Sequence, residues 1–281
     1  MSRACRILDG HTKRQEPSTG TNLAEIRVSD SCKVIRSGSY IPNLETLIDD
    51  EEWMRVFALE RIVRNWDSFG IAEGHNMYAY KPTSSRWQLL LTDFDYAFEH
   101  SGATATNDFF ETCENEAKEN ELMSQPAFRR AIWRTIQDAV AGPMLSQNIG
   151  PVFDATYAAL TSNGFRVTTN ATAAKTWVEG RRAYLTNLLT TVAVSFAITN
   201  HGGNNFTNAS STLTLAGTAP VAAAFIRFAG GSSNAPVSWD TVTNWSIPIT
   251  LVSGANTNSI QAYDRKTNAI SGLAASIIIT R

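Results

Sequence analysis

The chain has 281 residues, of which 43% are hydrophobic and 18% are charged, and its formal net charge is −2. These values are typical of a folded globular protein long enough for two domains, and they give no electrostatic reason to expect nucleic acid as a partner. No apolar run approaches the ~18 residues of a membrane span. The first twenty residues lack the apolar core of a signal peptide, and three distant cysteines form neither a disulfide framework nor a metal-binding spacing.

The composition changes sharply near residue 190. The last 91 residues hold six charged side chains, whereas the other 44 lie in the first 190 residues. Such a shift indicates a domain boundary. We therefore predict an irregular N-terminal segment at 1–43, a mostly helical domain at 44–190 and a β-domain at 191–281.

The helical domain begins with a wide apolar face at helical spacing over residues 45–64. Asp49 and Glu52 have the spacing of a capping box at an internal start. Two aromatic and aliphatic runs, at 76–80 and 87–93, predict a two-stranded ribbon. Further periodic stretches predict helices, at 126–141, 149–162 and 172–190.

From residue 192 onward, short runs of β-forming residues alternate with turn residues every ~8–12 positions. This spacing predicts an all-β sandwich that depends on its apolar inner faces. Trp239 and Trp245 are expected to be core aromatics. The alternative use of these two side chains, as an exposed platform for carbohydrate, is less favoured because tryptophan is generally well buried.

Four polar residues flank the predicted ribbon. Asp67 follows the first helix, Asn76 opens the first strand, and Asp93 and Asp95 close the second. Phosphoryl transfer needs an acid near the acceptor hydroxyl and hard oxygen ligands for Mg²⁺. If the strand continues through 93–95, both acids share one face, and a bound cation would relieve their repulsion. The alternative is that all four are ordinary turn and cap residues.

Several segments carry a family resemblance over about residues 40–190, namely "ALERIVRNWDSFG", "HNMYAYKP", "RWQLLLTDFDYAF", "PAFRRAIWRTIQDAVAGPM" and "WVEGRRAYL". In this order they resemble the CotH kinase family, named for a bacterial spore-coat protein. Three later segments, "GTAPV", "VSWDTVTNW" and "IPITLVSGANTNSIQAYD", resemble a bacterial Ig-like module. The resemblance implies an α+β chain, with the mostly helical C-lobe-like part of an atypical protein-kinase-like fold, a small β-ribbon and then an all-β Ig-like sandwich.

The CotH resemblance also implies roles for the four polar residues. Asp67 matches the catalytic acid of the family, which orients or deprotonates the acceptor. Asn76, Asp93 and Asp95 match its ligands for Mg²⁺ and ATP, and the implied substrate is a protein serine. The chain departs from the family pattern at Thr92, where tryptophan is usual, and at Glu99, where glycine often follows the aromatic residue.

Other polar candidates are assigned ordinary roles. His75 and Lys81 are read as loop residues, and the pairs Arg129–Arg130 and Arg181–Arg182 as surface charges or ion-pair partners of the acidic stretch 111–121. Residues 1–43 contain no strand series or lysine that could form the nucleotide-gripping lobe of a kinase. We therefore expect this chain to be the C-terminal part of a longer protein, or to come from a gene whose true start lies upstream.

Two functions from different classes follow. The first is an atypical CotH-type kinase, with ATP and Mg²⁺ as cofactors and incomplete in this chain. The second is a non-catalytic extracellular scaffold or adhesion protein that keeps a kinase-like remnant beside its Ig-like module. CotH-type regions and Ig-like modules occur together in large, exported bacterial proteins. The resemblance therefore implies a location outside a bacterium or on its surface, and a cell-surface partner bound through the Ig-like module.

Overall fold

The structure is a computed structural model that describes residues 44, 46–68, 71, 76, 78–80, 82–83, 85–98, 102–112, 117–167 and 170–281. The predictions made for segment 1–43, for His75 and Lys81, and for the three cysteines lie outside the described residues, as does Glu99. The candidate residues Asp67, Asn76, Asp93 and Asp95 all lie within them.

The described part of the helical region contains α1 (Asp50–Val63), α2 (Ala117–Ser124), α3 (Pro126–Ala141), α4 (Ser146–Ser162) and α5 (Ala171–Leu189). Helix α3 has the predicted bounds, because Pro126 suits the first helical turn and Gly142 caps the C-terminal end of the helix. Helix α1 begins later than predicted. The Asp49 side chain accepts a hydrogen bond from Glu52 N at 3.3 Å and so caps the helix there.

The predicted ribbon is present but shorter. Strands β1 (Tyr78–Tyr80) and β2 (Gln88–Leu90) pair antiparallel, with Tyr78 opposite Leu90. Leu89 faces the core and is 3% exposed, whereas Tyr78 on the other face is 63% exposed. Instead of completing a capping box, the Glu52 carboxylate accepts a hydrogen bond from Leu89 N at 3.0 Å and ties the ribbon to α1.

The helices and the ribbon share one apolar core. Helices α1 and α3 provide its centre, where Met54, Phe57, Ile132 and Ile136 are almost fully buried. Leu89 brings the ribbon into the same core, and Trp177 and Leu185 bring α5. The ribbon and the end of α1 are therefore held in fixed positions relative to each other.

The C-terminal region consists of strands β3 (Ala197–Ile198), β4 (Phe206–Thr207), β5 (Thr212–Thr218), β6 (Phe225–Phe228), β7 (Ser238–Trp239), β8 (Asn244–Thr250), β9 (Ala255–Tyr263) and β10 (Ala269–Thr280). They form two four-stranded sheets, ordered β4-β10-β9-β6 and β3-β5-β8-β7. Residues of both sheets share one core around the fully buried Trp245. The Ig-like assignment of these sheets stays a prediction.

The arginine at position 130 contradicts the sequence-based interpretation. Arg130 of α3 is 1% exposed and is not a surface charge. Its guanidinium donates hydrogen bonds to four main-chain oxygens of the sheet region, those of Ala219, Pro220, Ala223 and Val242. The same group lies 3.4 Å from the ring centroid of Trp239, which is only partly buried. The helical and sheet regions are thus joined through a buried cation.

Among the described residues, no helix combines the length and the apolar character needed to cross a bilayer.

Candidate active site

The candidate site starts at the C-terminal end of α1. Arg64 caps this helix in the left-handed region, with φ of 57°, and its N–H donates to Glu60 O. A left-handed residue at this position ends a helix and turns the chain away from the helix axis. The turn places residues 65–68, including the candidate acid Asp67, within hydrogen-bonding distance of Asn76 and of the loop that follows β2.

The structure brings the side chains of Asp67 and Asn76 together. Asn76 Nδ2 donates to Asp67 O at 2.9 Å and to Asp67 Oδ2 at 3.0 Å. Asn76 has φ of 56° and precedes β1 instead of lying in it. Because Nδ2 binds Asp67, Oδ1 is the atom of this amide that remains to accept a donor or ligate a metal.

The second pair of candidate residues lies on a loop, and the expectation that β2 continues through them is wrong. Strand β2 ends at Leu90, Asp93 has φ of 53° and Asp95 lies in a turn. The left-handed residue breaks the alternation of a strand, so the argument that two such acids share one face does not apply. Both side chains are exposed.

Hydrogen bonds to main-chain atoms of the acidic loop, residues 91–98, hold this loop against the end of α1. Asn65 Nδ2 donates to Asp93 O at 2.9 Å, Trp66 N donates to Tyr96 O at 3.3 Å, and Phe98 N donates to Val63 O at 2.7 Å. The rings of Trp66 and Tyr96 also lie 6.0 Å apart. The loop that carries Asp93 and Asp95 is therefore fixed next to the segment that carries Asp67.

Two buried polar residues that the sequence did not single out support this arrangement. Glu60 is 3% exposed and Asn65 is fully buried. Asn65 Nδ2 donates to Glu60 Oε2 at 2.9 Å. Burial raises the pKa of Glu60 to about 7, against the opposing effect of the hydrogen bond from Asn65. A Glu and an Asn five residues apart give no distinctive sequence signal.

Arginines hold the next segment, residues 102–112. Arg61 NH1 donates to Phe109 O at 3.0 Å and to Glu111 O at 2.8 Å. Arg64 forms an ion pair with the Glu111 carboxylate. Arg181, which is fully buried and was expected at the surface, donates to the main-chain oxygens of Arg61, Ile62, Ala105 and Asn107. Burial lowers the pKa of Arg181 to about 10.

The donor set of the candidate site fits a hard divalent cation in chemical type. Asn76 offers an amide oxygen, and Asp93 and Asp95 offer carboxylates, which are the ligands that Mg²⁺ prefers. Within the described residues, no three side chains of Asp, Glu, His or Cys are grouped closely enough to hold a metal ion. A metal site here would therefore need the Asn76 amide oxygen, or phosphate oxygens and water, besides the two acids.

Comparison with protein-family models matches residues 12–185 to the family described as CotH kinase protein. This range spans more than half of the 281 residues. The chain belongs to the CotH kinase protein family. Comparison with curated proteins finds no match to the chain.

The CotH match indicates a kinase-like protein with mixed helices and sheets. It covers α1, the ribbon, the acidic loop and most of α5, and it ends before the C-terminal sheets. All four candidate residues lie inside the matched range. The structure brings Asp67 and Asn76 together and places the main chain of the acidic loop against Val63, Asn65 and Trp66.

Proposed function

We propose that this CotH family protein transfers the γ-phosphoryl group of ATP to serine hydroxyls of proteins, with Mg²⁺ as cofactor. The observation that carries the proposal is the double hydrogen bond from Asn76 Nδ2 to the main chain and the carboxylate of Asp67. Phosphoryl transfer depends mostly on positioning and electrostatics, so a carboxylate held in one orientation is the part that the protein must supply.

In this proposal Asp67 acts on the acceptor. Its carboxylate accepts a hydrogen bond from the serine hydroxyl, aligns the oxygen with the γ-phosphorus and takes the proton as the new P–O bond forms, while the bond from the γ-phosphorus to the bridging oxygen breaks and ADP leaves. The bond between Asn76 Nδ2 and Asp67 Oδ2 limits rotation of the carboxylate. The proton can therefore be received without a search for the right side-chain orientation.

Three groups would hold the cation and the phosphates, namely Asn76 Oδ1 and the carboxylates of Asp93 and Asp95. Bound Mg²⁺ supplies charge neutralisation for the phosphate oxygens. The loop contacts of Asn65 and Trp66 fix the main chain from which the two acids project. A cation bound by Asn76 Oδ1 would lie close to Asp67, because the same amide donates to that carboxylate.

The exposed face of the ribbon supports a nucleotide as the donor. Tyr78 is 63% exposed, its strand partner Leu90 is 49% exposed, and Tyr80 on the same face is 44% exposed. Tyr78 follows Asn76 by two residues, so this apolar face begins at the proposed phosphate ligand. Aromatic and aliphatic side chains of this kind can pack against a nucleobase.

A nucleotide titration with and without Mg²⁺ tests the binding step. We expect Mg²⁺ to strengthen ATP binding, and Asp93→Ala and Asp95→Ala to remove most of this gain. Asp154→Ala is the control, because this exposed acid on α4 pairs with Lys175 away from the site. Equal Mg²⁺-dependent affinity in wild type and in both loop variants would refute the proposed ligands.

Phosphorylation of serine, detected by mass spectrometry, tests the chemical step. Loss of a positioned general base costs about 10²–10⁴-fold in rate. We expect Asp67→Asn to show a loss of this size while it keeps its Mg²⁺-dependent affinity for ATP. An unchanged rate in this variant would remove Asp67 from the mechanism.

A non-catalytic scaffold is the second candidate. The observation that favours it is that the described residues contain no group of three acidic, histidine or cysteine side chains fit for a metal ion. A scaffold predicts that Mg²⁺ leaves ATP binding unchanged and that wild type and Asp67→Asn show the same absence of phosphoserine. The two tests above therefore separate the candidates.

We further propose that the protein acts at the surface of a bacterium or outside the cell, where the C-terminal sheets bind a cell-surface partner. The composition supports a contact surface with little charge, since the last 91 residues carry only six charged side chains. Cell fractionation tests the location: recovery of the protein only in the cytoplasm would refute it.

A further inference from the structure

The side chain of Asn65 connects two parts of the candidate site. It is fully buried, and its Nδ2 donates to Glu60 Oε2 in α1 and to Asp93 O in the acidic loop, both at 2.9 Å. A primary amide has two N–H groups, so these two bonds use its whole donor capacity. One nitrogen therefore links the rigid end of α1 to the residue at which the acidic loop turns.

The same side chain also carries a cost. Its Oδ1 is buried and has no hydrogen-bond partner among the described residues. An unpaired buried amide oxygen destabilises a protein, and an apolar residue of similar size would avoid this penalty. A sequence selected for stability alone has no reason to keep an asparagine here. The two hydrogen bonds of Nδ2 offset the free-energy cost of the unpaired Oδ1.

The backbone of Asp93 explains why its carbonyl needs a fixed donor. Asp93 has φ of 53°, a region that non-glycine residues adopt at a cost of order 1 kcal/mol. Such a conformation persists only where the surroundings hold it. The Asn65 bond is made to the carbonyl of Asp93 itself.

We propose that Asn65 is a positioning residue that sets the main-chain conformation of Asp93, and through it the direction in which this carboxylate meets the cation. This inference rests on the proposed Mg²⁺-dependent function. Asn65 itself touches neither substrate nor metal. It acts by holding the loop at one point, and Glu60 holds the amide from the other side.

The test replaces the donor and keeps the shape. Asn65→Asp has nearly the same volume but lacks the two N–H donors of Nδ2, so at least one of the two bonds is lost. We expect the gain in ATP affinity on adding Mg²⁺ to fall about tenfold, the value of one hydrogen bond of this kind, while affinity without Mg²⁺ stays unchanged. We also expect faster hydrogen–deuterium exchange in the loop segment 91–98.

Two control variants separate this effect from general damage. Thr135→Val changes a buried residue of α3 whose hydroxyl donates to Ala131 O, without touching the Asp93 bond. Asn148→Asp removes an amide that donates to a main-chain oxygen, Gly142 O, far from the site. Both are expected to keep the wild-type Mg²⁺ gain and the wild-type exchange rate of the loop.

The outcomes distinguish the two proposals. If wild type shows an Mg²⁺ gain and Asn65→Asp keeps all of it, the positioning role is wrong. If wild type shows no Mg²⁺ gain, the proposed function fails, and loop exchange alone then decides: an unchanged rate in Asn65→Asp overturns the positioning role as well. If Asn65→Asp does not fold, Asn65→Ser, whose hydroxyl can donate to only one of the two acceptors, undergoes the same measurements and decides.

Discussion

Replacing Arg130 by methionine removes the buried cation that joins the helices to the sheets. The guanidinium donates to Ala223 O at 2.6 Å, to Pro220 O at 2.8 Å and to Ala219 O at 3.3 Å, besides its bond to Val242 O. Burial and the neighbouring Arg134 lower its pKa, so part of the bonding energy offsets desolvation. Breaking a buried charged network typically costs about 3–5 kcal/mol, and we expect Arg130→Met to lose about 4 kcal/mol.

Thermal and urea unfolding measure this loss. For a protein of this size, 4 kcal/mol corresponds to a fall in Tm of about 10 °C. Arg129→Met is the matched control on the same helix, because Arg129 lies over the Phe110 ring at 3.9 Å and its loss costs about 1 kcal/mol or less. Should Arg130→Met lose no more stability than Arg129→Met, the four carbonyl contacts are not what holds the two regions together.

Two further predictions concern Glu60 and Gly217. Burial raises the pKa of Glu60 from 4.5 to about 7. Between these pH values the folded protein keeps a proton on Glu60 that the unfolded chain has released. The free energy of unfolding therefore decreases as pH rises from about 4.5 through 7. Glu60→Gln should flatten this slope and stabilise the protein at pH 8 by at most about 3 kcal/mol, as measured by urea unfolding across pH; a slope equal to that of wild type contradicts the assignment. A Cβ on Gly217 would lie 2.1 Å from Ala197 O and 2.2 Å from the Trp245 ring, so Gly217→Ala should destabilise the protein by about 3 kcal/mol. Gly150→Ala, whose Cβ meets nothing closer than 3.7 Å inside a helix, should be neutral or stabilising in the same thermal assay, and equal Tm values for these two variants would argue against the close packing.

The sequence predicted those helices and strands whose apolar spacing and end residues lie within the element itself. Helix α3 has the predicted bounds because its apolar period, its N-terminal proline and the glycine after it all agree. The ribbon was located but its length was not. Leu91 and Thr92 are residues that strands favour, yet strand β2 ends at Leu90 and the chain turns left-handed at Asp93. Helix α2 was missed, because an acid-rich stretch has weak amphipathic character.

Long-range polar contacts were beyond sequence reasoning. The acceptors of Arg130 lie 89 to 112 positions along the chain, and those of Arg181 lie 74 to 120 positions away. All of these acceptors are main-chain oxygens, which every residue type offers. A sequence therefore shows two arginines on a helix but gives no sign of what they bind. The same holds for Asn65, whose partner Asp93 O is an ordinary carbonyl.

The segment 102–112 has an evolutionary consequence. Arg61 and Arg181 donate hydrogen bonds to main-chain oxygens of this segment. Among its side chains, Phe109 is deeply buried and Glu111 forms an ion pair with Arg64. The conformation of this segment is thus determined more by side chains of the surrounding helices than by its own sequence. Across relatives, substitutions should accumulate freely at most positions of this stretch, while the arginines that surround it stay constant.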